Sequence, residues 1–292
     1  MTNDVKLREE TALATYYDRP LLKEPVWIWT VPAYFYAGGV AGAALVLGAA
    51  AQLTGDEELR PLVRAARRIG FAGHFLGSVF LIVDLGRPER FIHMLRVFNR
   101  KSPLSIGSWI LAGGGALSGA SIVLPRSLAN VAGFGAGLLG VPLAGYTGVL
   151  LSNTAVPVWA GAGRTLTALF MASAVASCAS LFELMDLSPR EARVVHRFGL
   201  IGKTAELACM ASMEGELSAR DEVVRPLRSG LPGALWTASR ILTAASLAVS
   251  LIPGSSKKTK TAGVLGTLAG IGLRFAVMYA GFSSTRNPRA VV

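Results

Sequence analysis

The chain has 292 residues, 52% of them hydrophobic and only 16% charged, too few charges to wrap a soluble domain of that length. Its formal net charge of +11 would suggest nucleic acid in a soluble protein. Here the cations lie in segments between apolar runs, where lysine and arginine meet headgroups, so membrane lipid is the expected surface partner and nucleic acid is not.

The first 25 residues carry mixed charges and precede an apolar run too long for a cleaved signal peptide, so residues 1–27 read as a surface arm. A hydrocarbon core about 30 Å thick needs roughly 20 apolar residues per helix. Eight stretches satisfy that length, near 28–53, 67–86, 105–124, 130–152, 165–185, 196–213, 231–252 and 261–282. They are far longer than the alternating strands of a membrane barrel, and a helix satisfies its own backbone in lipid. The expected fold class is an all-α integral membrane protein, a bundle of eight transmembrane helices over 28–285 with a tail at 286–292. Clusters such as Gly38-Gly39, Gly113-Gly114-Gly115 and Gly133-Phe-Gly-Ala-Gly137 suit close helix packing.

Run one opens with Trp27, Trp29, Tyr34 and Tyr36, by default an interfacial aromatic belt. Run two ends in the loop DLGRPERFIHMLRVFNRKSPLSIGSW, residues 84–109. Gly86 suits a left-handed cap, Arg87 can reach back to Asp84, and Pro88 stops the helix. Arg90, His93, Arg96 and Arg100 recur at spacings of three and four, which predicts one face of a short interfacial helix, with Phe91, Leu95 and Phe98 on another face toward lipid. Headgroup anchoring and partner docking both explain that pattern. Ser102-Pro103 and Ser105 mark the turn into run three, with Ser105 as the expected N-cap.

Run four ends in Gly145-Tyr-Thr-Gly-Val-Leu-Leu-Ser152, which alternation places on the same side as the loop. At 1.5 Å per residue Tyr146 lies about 9 Å inside that edge. A phenol at that depth, beside glycines, can be a belt tyrosine or a hydrogen-bond donor to a quinone carbonyl.

Ionisable residues inside the runs are costly unless paired or hydrated. Glu183 closes run five and Glu206 sits in mid run six, where Lys203 precedes it by three residues and can pair with it. Arg240 and Arg274 lie in runs seven and eight. Inter-helix ion pairs are one reading, and a proton or substrate path lined by Asp84, Glu183 and Glu206 is the other, with His74, early in run two, either a polar helix contact or a member of the proton path. His74 and His196 both start runs on the side opposite the N-terminus, so a bis-histidine haem is conceivable, although such ligands usually lie deeper. Cys178 and Cys209 lack the clustering of an iron–sulfur or zinc site, so no iron–sulfur cluster is expected in this chain.

Cations split fifteen on the N-terminal side, Lys6, Arg8, Arg19, Lys23 and Arg289 among them, against eleven on the other, with three inside runs. That favours a cytoplasmic N-terminus, unless the loop's arginines are held by a docking role.

Taken together, Tyr34-Phe-Tyr-Ala-Gly-Gly-Val-Ala-Gly-Ala43, Asp84-Leu-Gly-Arg-Pro-Glu-Arg-Phe91, Met94-Leu-Arg-Val-Phe98, Ser102-Pro-Leu-Ser-Ile-Gly-Ser-Trp109 and Tyr146-Thr-Gly-Val-Leu-Leu-Ser152 resemble the NrfD-like, or polysulfide reductase membrane-anchor, family. The resemblance covers about the first 185 residues. It implies a haem-free, quinone-binding subunit of a multi-subunit oxidoreductase in a bacterial or archaeal cytoplasmic membrane, of the kind used in anaerobic respiration. The quinone would be menaquinone or ubiquinone, the partner a ferredoxin-like iron–sulfur subunit, with a molybdopterin oxidoreductase subunit beyond it. Carried onto this chain, it implies that Tyr146 binds the quinone head group while Asp84 and Arg87 shape the pocket, with Trp27, Lys23 and Ser152 around it. Arg90, His93, Arg96 and Arg100 would meet the partner. Where some members supply His or Asn before run one, this chain has Lys23 and Glu24. Family precedent places the partner outside the cytoplasm, against the cation count. A secondary transporter would instead show an internal repeat of broken helices, which the sequence does not display; a passive anchor is the third reading.

Overall fold

The computed structural model describes residues 22–87, 89–252, 255–287 and 290. Most of the arm, with the cations Lys6, Arg8 and Arg19, lies outside the described residues, as do Pro88, Arg289 and the side chain of Phe91.

The helices, in chain order, are α1 Thr30–Leu53, α2 Arg60–Leu85, the short α3 Glu89–Met94, α4 Pro103–Val123, α5 Arg126–Ser152, α6 Pro157–Glu183, α7 Pro189–Leu217, the short α8 Asp221–Arg228, α9 Gly230–Leu251 and α10 Ser256–Thr285. A 3-10 turn at Glu57–Leu59 leads into α2, and the described residues contain no strand.

Seven of the long helices are apolar and long enough to cross a membrane, so the chain is a multi-pass helical membrane protein. The expected eighth span differs. α7 has the length, 29 residues, but carries eight Asp, Glu, Lys or Arg residues between Arg190 and Glu216 and fails on apolarity.

Cross-links between loops fix the order of the bundle ends. At the far end Asp56 accepts from Arg190 at 2.9 Å, Asp186 from Lys260 at 2.7 Å, and Glu57 from Arg126 at 3.2 Å. At the opposite end, which carries the 84–109 loop, Arg286 grips Glu24 through two bonds of 2.9 and 2.8 Å, tying the tail to the arm. Asn287 donates to Glu222 there at 2.6 Å. The long helices therefore alternate in direction, and α7 runs from the far end to the loop end.

Helix starts follow caps rather than the edges of apolar runs. Ser188 and Glu191 form a reciprocal capping box with Pro189 in the first turn, so α7 begins well before the apolar stretch. Pro157 likewise starts α6 before the expected run 165–185; the helix then breaks at Gly163, whose φ of +39° is left-handed backbone that glycine tolerates.

α1 is the inner helix, packed against α2, α5, α6 and α10. Its contact with α5 is backbone on backbone: a methyl group on Gly42 would stand 2.6 Å from the Gly140 carbonyl oxygen. Small residues permit that approach in lipid, where packing replaces the hydrophobic effect between helices.

Asp56 joins the α1–α2 turn to the start of α7, and the hydrogen bond from Arg190, aided by the Glu58 amide, holds its carboxyl below the usual carboxylate range. A depressed folded-state value means the tie is complete above the unfolded pKa of about 3.9 and is lost as pH falls through the folded value. Acid-unfolding curves should therefore show wild type more stable than Asp56→Asn near neutral pH, with the gap closing as pH falls through the depressed folded-state value. Superimposable curves at neutral pH would show that the tie contributes nothing.

Candidate functional site

Gly86 closes α2 with a φ of +67°, the left-handed cap its sequence suggests, and its amide donates to Val83 at 3.3 Å. Asp84, half-buried, does not take Arg87 as its partner. Its Oδ1 accepts from the Ile28 amide at 3.2 Å, so it pins the entry to α1 onto the end of α2. An aspartate one residue from a helix end meets a passing backbone more readily than an arginine beyond the cap.

The loop helix is shorter than the arginine spacing predicts. α3 ends at Met94, so it holds Arg90 and His93 but leaves Arg96 and Arg100 on the following turns. Turn bonds from Leu95 to Ile92 and from Arg96 to His93 end the helix, and Pro88, assigned the role of helix stop, lies outside the described residues. Arg87, Arg90, Arg96, Arg100 and Lys101 are all exposed, and none makes an ion pair among the described residues. Ser102, not Ser105, caps α4, with Pro103 preset for the first turn. Ser105 instead ties down the loop, accepting from the Asn99 amide at 3.0 Å and donating to the Val97 carbonyl at 3.2 Å.

Beneath this loop two phenols meet. Tyr146 of α5 is only 7% exposed and its hydroxyl faces that of Tyr34 on α1, itself buried. The clearance does not come from its sequence neighbours: Gly145 and Gly148 pack α5 against Met171 and Thr167 of α6. Gly107 of α4 provides it, since any side chain there would enter the Tyr146 ring; a Cβ on Gly77 of α2 would stand 3.1 Å from Tyr34. In a phenol pair one hydroxyl donates to the other, which leaves one O–H available to a third group.

Trp27 stacks on Trp159 of α6 at 5.8 Å, while Trp29 meets Phe80 edge-on at 6.0 Å. Trp159 donates to the Val277 carbonyl at 2.8 Å, and Gly281 of α10 makes room for its indole. Both Trp27 and Phe80 pack on the core cluster that contains Tyr34 and Tyr146. Lys23 is exposed on the segment before α1. Ser152 does not join the phenols: it donates to its own helix at Val149, 3.0 Å away, and six residues on a helix turn it about 240° from Tyr146.

The buried ionisable residues form a second assembly, in α6, α7, α9 and α10. Lys203 does not pair with Glu206 on its own helix. Its Nζ donates to both carboxylate oxygens of Glu183 at 2.8 Å and to Ser250 at 3.0 Å. Gly199, one turn before Lys203, packs against Ala179 and lets α6 and α7 approach closely enough for that pair. Glu206 lies deeper, near Arg274 of α10 and Ser173 of α6. Arg274 donates to the Phe170 carbonyl at 2.9 Å, sits 3.9 Å over the Phe170 ring, and neighbours Tyr36. Glu206 Oε1, Arg274 Nε and Nη1, Tyr36 Oη, Ser173 Oγ and Thr267 Oγ1 are buried without a hydrogen-bond partner among the described residues.

At the far end a cavity of about 390 Å³, bordered by Asp186, His196 and Thr259, reaches down to Glu183. His196 is thus exposed beside that opening. His74 belongs elsewhere: it is buried between α2 and α4, with Nδ1 2.7 Å from the Gly70 carbonyl oxygen and Gly114 facing Nε2. It does not line up with Glu183 and Glu206, nor share a site with His196. Arg240 pairs with Glu214 through two bonds of 3.0 Å, and Trp236 donates to the same carboxylate. Among the described residues no three His, Cys, Asp or Glu side chains converge on a metal position.

An all-helical bundle with membrane-length spans, an exposed basic loop at one end and a buried polar seam inside defines a multi-pass helical membrane protein. The comparisons narrow that class. Residues 21–124 match the family described as Polysulphide reductase, NrfD, so the resemblance carried by α1, the 84–109 loop and α4 holds over this part of the chain. The matched stretch includes Tyr34, Asp84 and Gly107 and ends before Tyr146. No curated protein matches the chain.

Removing one partner of a buried ion pair leaves an uncompensated charge and costs about 3–5 kcal/mol. Lys203→Met should therefore lower thermal stability in detergent strongly, and adding Glu183→Leu should restore most of the loss. A single variant as stable as wild type would show that the pair is not held as described.

Proposed function

We propose that this chain is the quinone-reactive subunit of a multi-subunit oxidoreductase in a bacterial or archaeal cytoplasmic membrane. It exchanges electrons between menaquinone or ubiquinone and a ferredoxin-like iron–sulfur subunit docked on the 84–109 loop, with a molybdopterin subunit beyond. The observation that supports this best is the placement of the Tyr34–Tyr146 pair behind a loop whose five exposed cations make no ion pair among the described residues. A bound quinone supplies two-electron, two-proton redox chemistry.

The residues present fit such a ring. One phenol hydrogen of the pair is free to donate to a carbonyl, Trp29 and Phe80 offer apolar surface, and Asp84 keeps the α1 entry in register beside them. Trp27 steadies the same entry against Trp159, Arg87 and Lys23 lie at the rim, and Arg90, His93, Arg96 and Arg100 face the acidic surface expected of a partner.

Protons would reach the bundle interior from the far end. The 390 Å³ opening leads to Glu183, and Lys203 links Glu183 toward Glu206 and Arg274. The cluster of unpartnered polar atoms there suits bridging water. On this reading α7 is an eighth crossing, its charged Lys203 and Glu206 turned to α6 and α10.

Tyr146→Phe should reduce quinone-linked turnover of the purified complex about tenfold or more while the partner remains bound. Turnover equal to wild type would remove Tyr146 from the site, and a complex that purifies with partners but without quinone would favour a passive anchor. Glu206→Gln should slow proton-coupled turnover without releasing the subunit. Unaltered rates would return Glu206 to a purely structural role.

A further inference from the structure

The far end carries a second cationic site, independent of the loop and of the seam. Arg67 of α2 is drawn into the groove between α1, α4 and α5. Its Nη2 donates to Gln52 at 2.8 Å and to Asn130 at 2.9 Å, and its Nη1 to the Ser121 carbonyl at 3.3 Å. Gly133 makes the room, since a Cβ there would stand 2.7 Å from Arg67 Nε. Every one of these partners is neutral, and Nε is buried without a partner among the described residues. An arginine fixed by neutral acceptors keeps its whole charge.

Three further arginines share the groove mouth. A cavity of about 290 Å³ is bounded by Arg64, Arg67, Arg68 and Arg126, with Ile122 and Leu124 as its apolar wall and no carboxylate among the described residues that line it. Of the nearby acids Asp56 binds Arg190, while Glu57 holds Arg60 and also Arg126, so Arg126 is the one cavity arginine already paired. Arg64 and Arg68 are exposed and have no ion pair among the described residues. Next to the cavity Val123, Leu128 and Val131 are 80%, 55% and 71% exposed, an apolar surface of the kind that faces acyl chains.

Three guanidiniums without a carboxylate partner among the described residues, Arg64, Arg67 and Arg68, at the end of the helices and opening onto apolar surface, match a phosphodiester with hydrocarbon attached. We infer that this groove binds the phosphate of an anionic lipid headgroup at the end of the bundle opposite the 84–109 loop. Arginine holds phosphate through paired N–H donors, and a free phosphate would leave the apolar wall unused. Arg67 gives the site its fixed charge, and Arg64 and Arg68 close over the headgroup.

The full chain, purified in a neutral detergent, is tested by thermal unfolding with dioleoyl-phosphatidylglycerol, with dioleoyl-phosphatidylcholine at the same mole fraction, and with inorganic phosphate. Phosphatidylglycerol should raise the midpoint of wild type by about 5 °C over phosphatidylcholine. The Arg64→Gln/Arg68→Gln variant should lose that increment and keep the wild-type midpoint in phosphatidylcholine, because neither side chain supports the fold. Lys257→Gln/Lys258→Gln, which removes exposed cations of α10 at the same end, should keep the increment. Equal stabilisation by both lipids, or an increment that survives in the arginine variant, overturns the inference. So does inorganic phosphate that reproduces the increment and prevents the lipid from adding to it, since the site would then take free phosphate.

Discussion

The approach of α1 to α5 at Gly42 and Gly140 is the contact on which the other arrangements depend. It brings the backbone of α1 into the middle of the bundle, and two side chains spaced by two residues then point about 200° apart. Tyr34 goes one way, to Tyr146, Gly77 and the end of α4; Tyr36 goes the other, to Arg274 and the ring of residues around it. One helix thus forms the wall between the phenol pair and the polar seam. A larger residue at Gly42 would push that wall away and separate both groups from their partners.

Charge inside the bundle is handled by neighbours from other helices. Lys203 takes no acid from α7, so Glu183 of α6 and Ser250 of α9 satisfy it together. Arg274 is satisfied differently, by a carbonyl and an aromatic face, which stabilise a cation without neutralising it. Its remaining charge is what makes the buried Glu206 nearby tolerable. The central charges of α7 thus face other helices, Lys203 meeting Glu183 and Glu206 lying near Arg274.

The two ends of the bundle use their cations in opposite ways. At the loop end Arg87, Arg90, Arg96, Arg100 and Lys101 are exposed and make no ion pair among the described residues, while Arg286 ties Glu24. At the far end Arg190, Lys260 and Arg126 hold loops together through Asp56, Asp186 and Glu57. Fifteen cations against eleven therefore do not measure topology alone, because at each end a share of them holds segments together, Arg286 at one end and Arg190, Lys260 and Arg126 at the other.

The apolar runs were enough to place seven of the long helices, because a bilayer demands length and apolarity from a span and both are written locally; α7 has the length but not the apolarity. The left-handed cap at Gly86, the basic loop and the depth of Tyr146 were equally legible, each resting on residues close together in the chain. Partner choice was not. Asp84 bonds to Ile28, Lys203 to Glu183, and Tyr146 gains its clearance from Gly107, each across tens of residues and between helices whose adjacency no local pattern states. Helix starts also escaped the hydropathy reading, since Pro157 and the Ser188–Glu191 box act outside the apolar stretch. Sequence by itself determined a membrane bundle with a charged loop above an intramembrane tyrosine. Only the tertiary structure decided which charges meet, because a hydrogen bond inside a bilayer is made with whichever helix packing brings within about 3 Å.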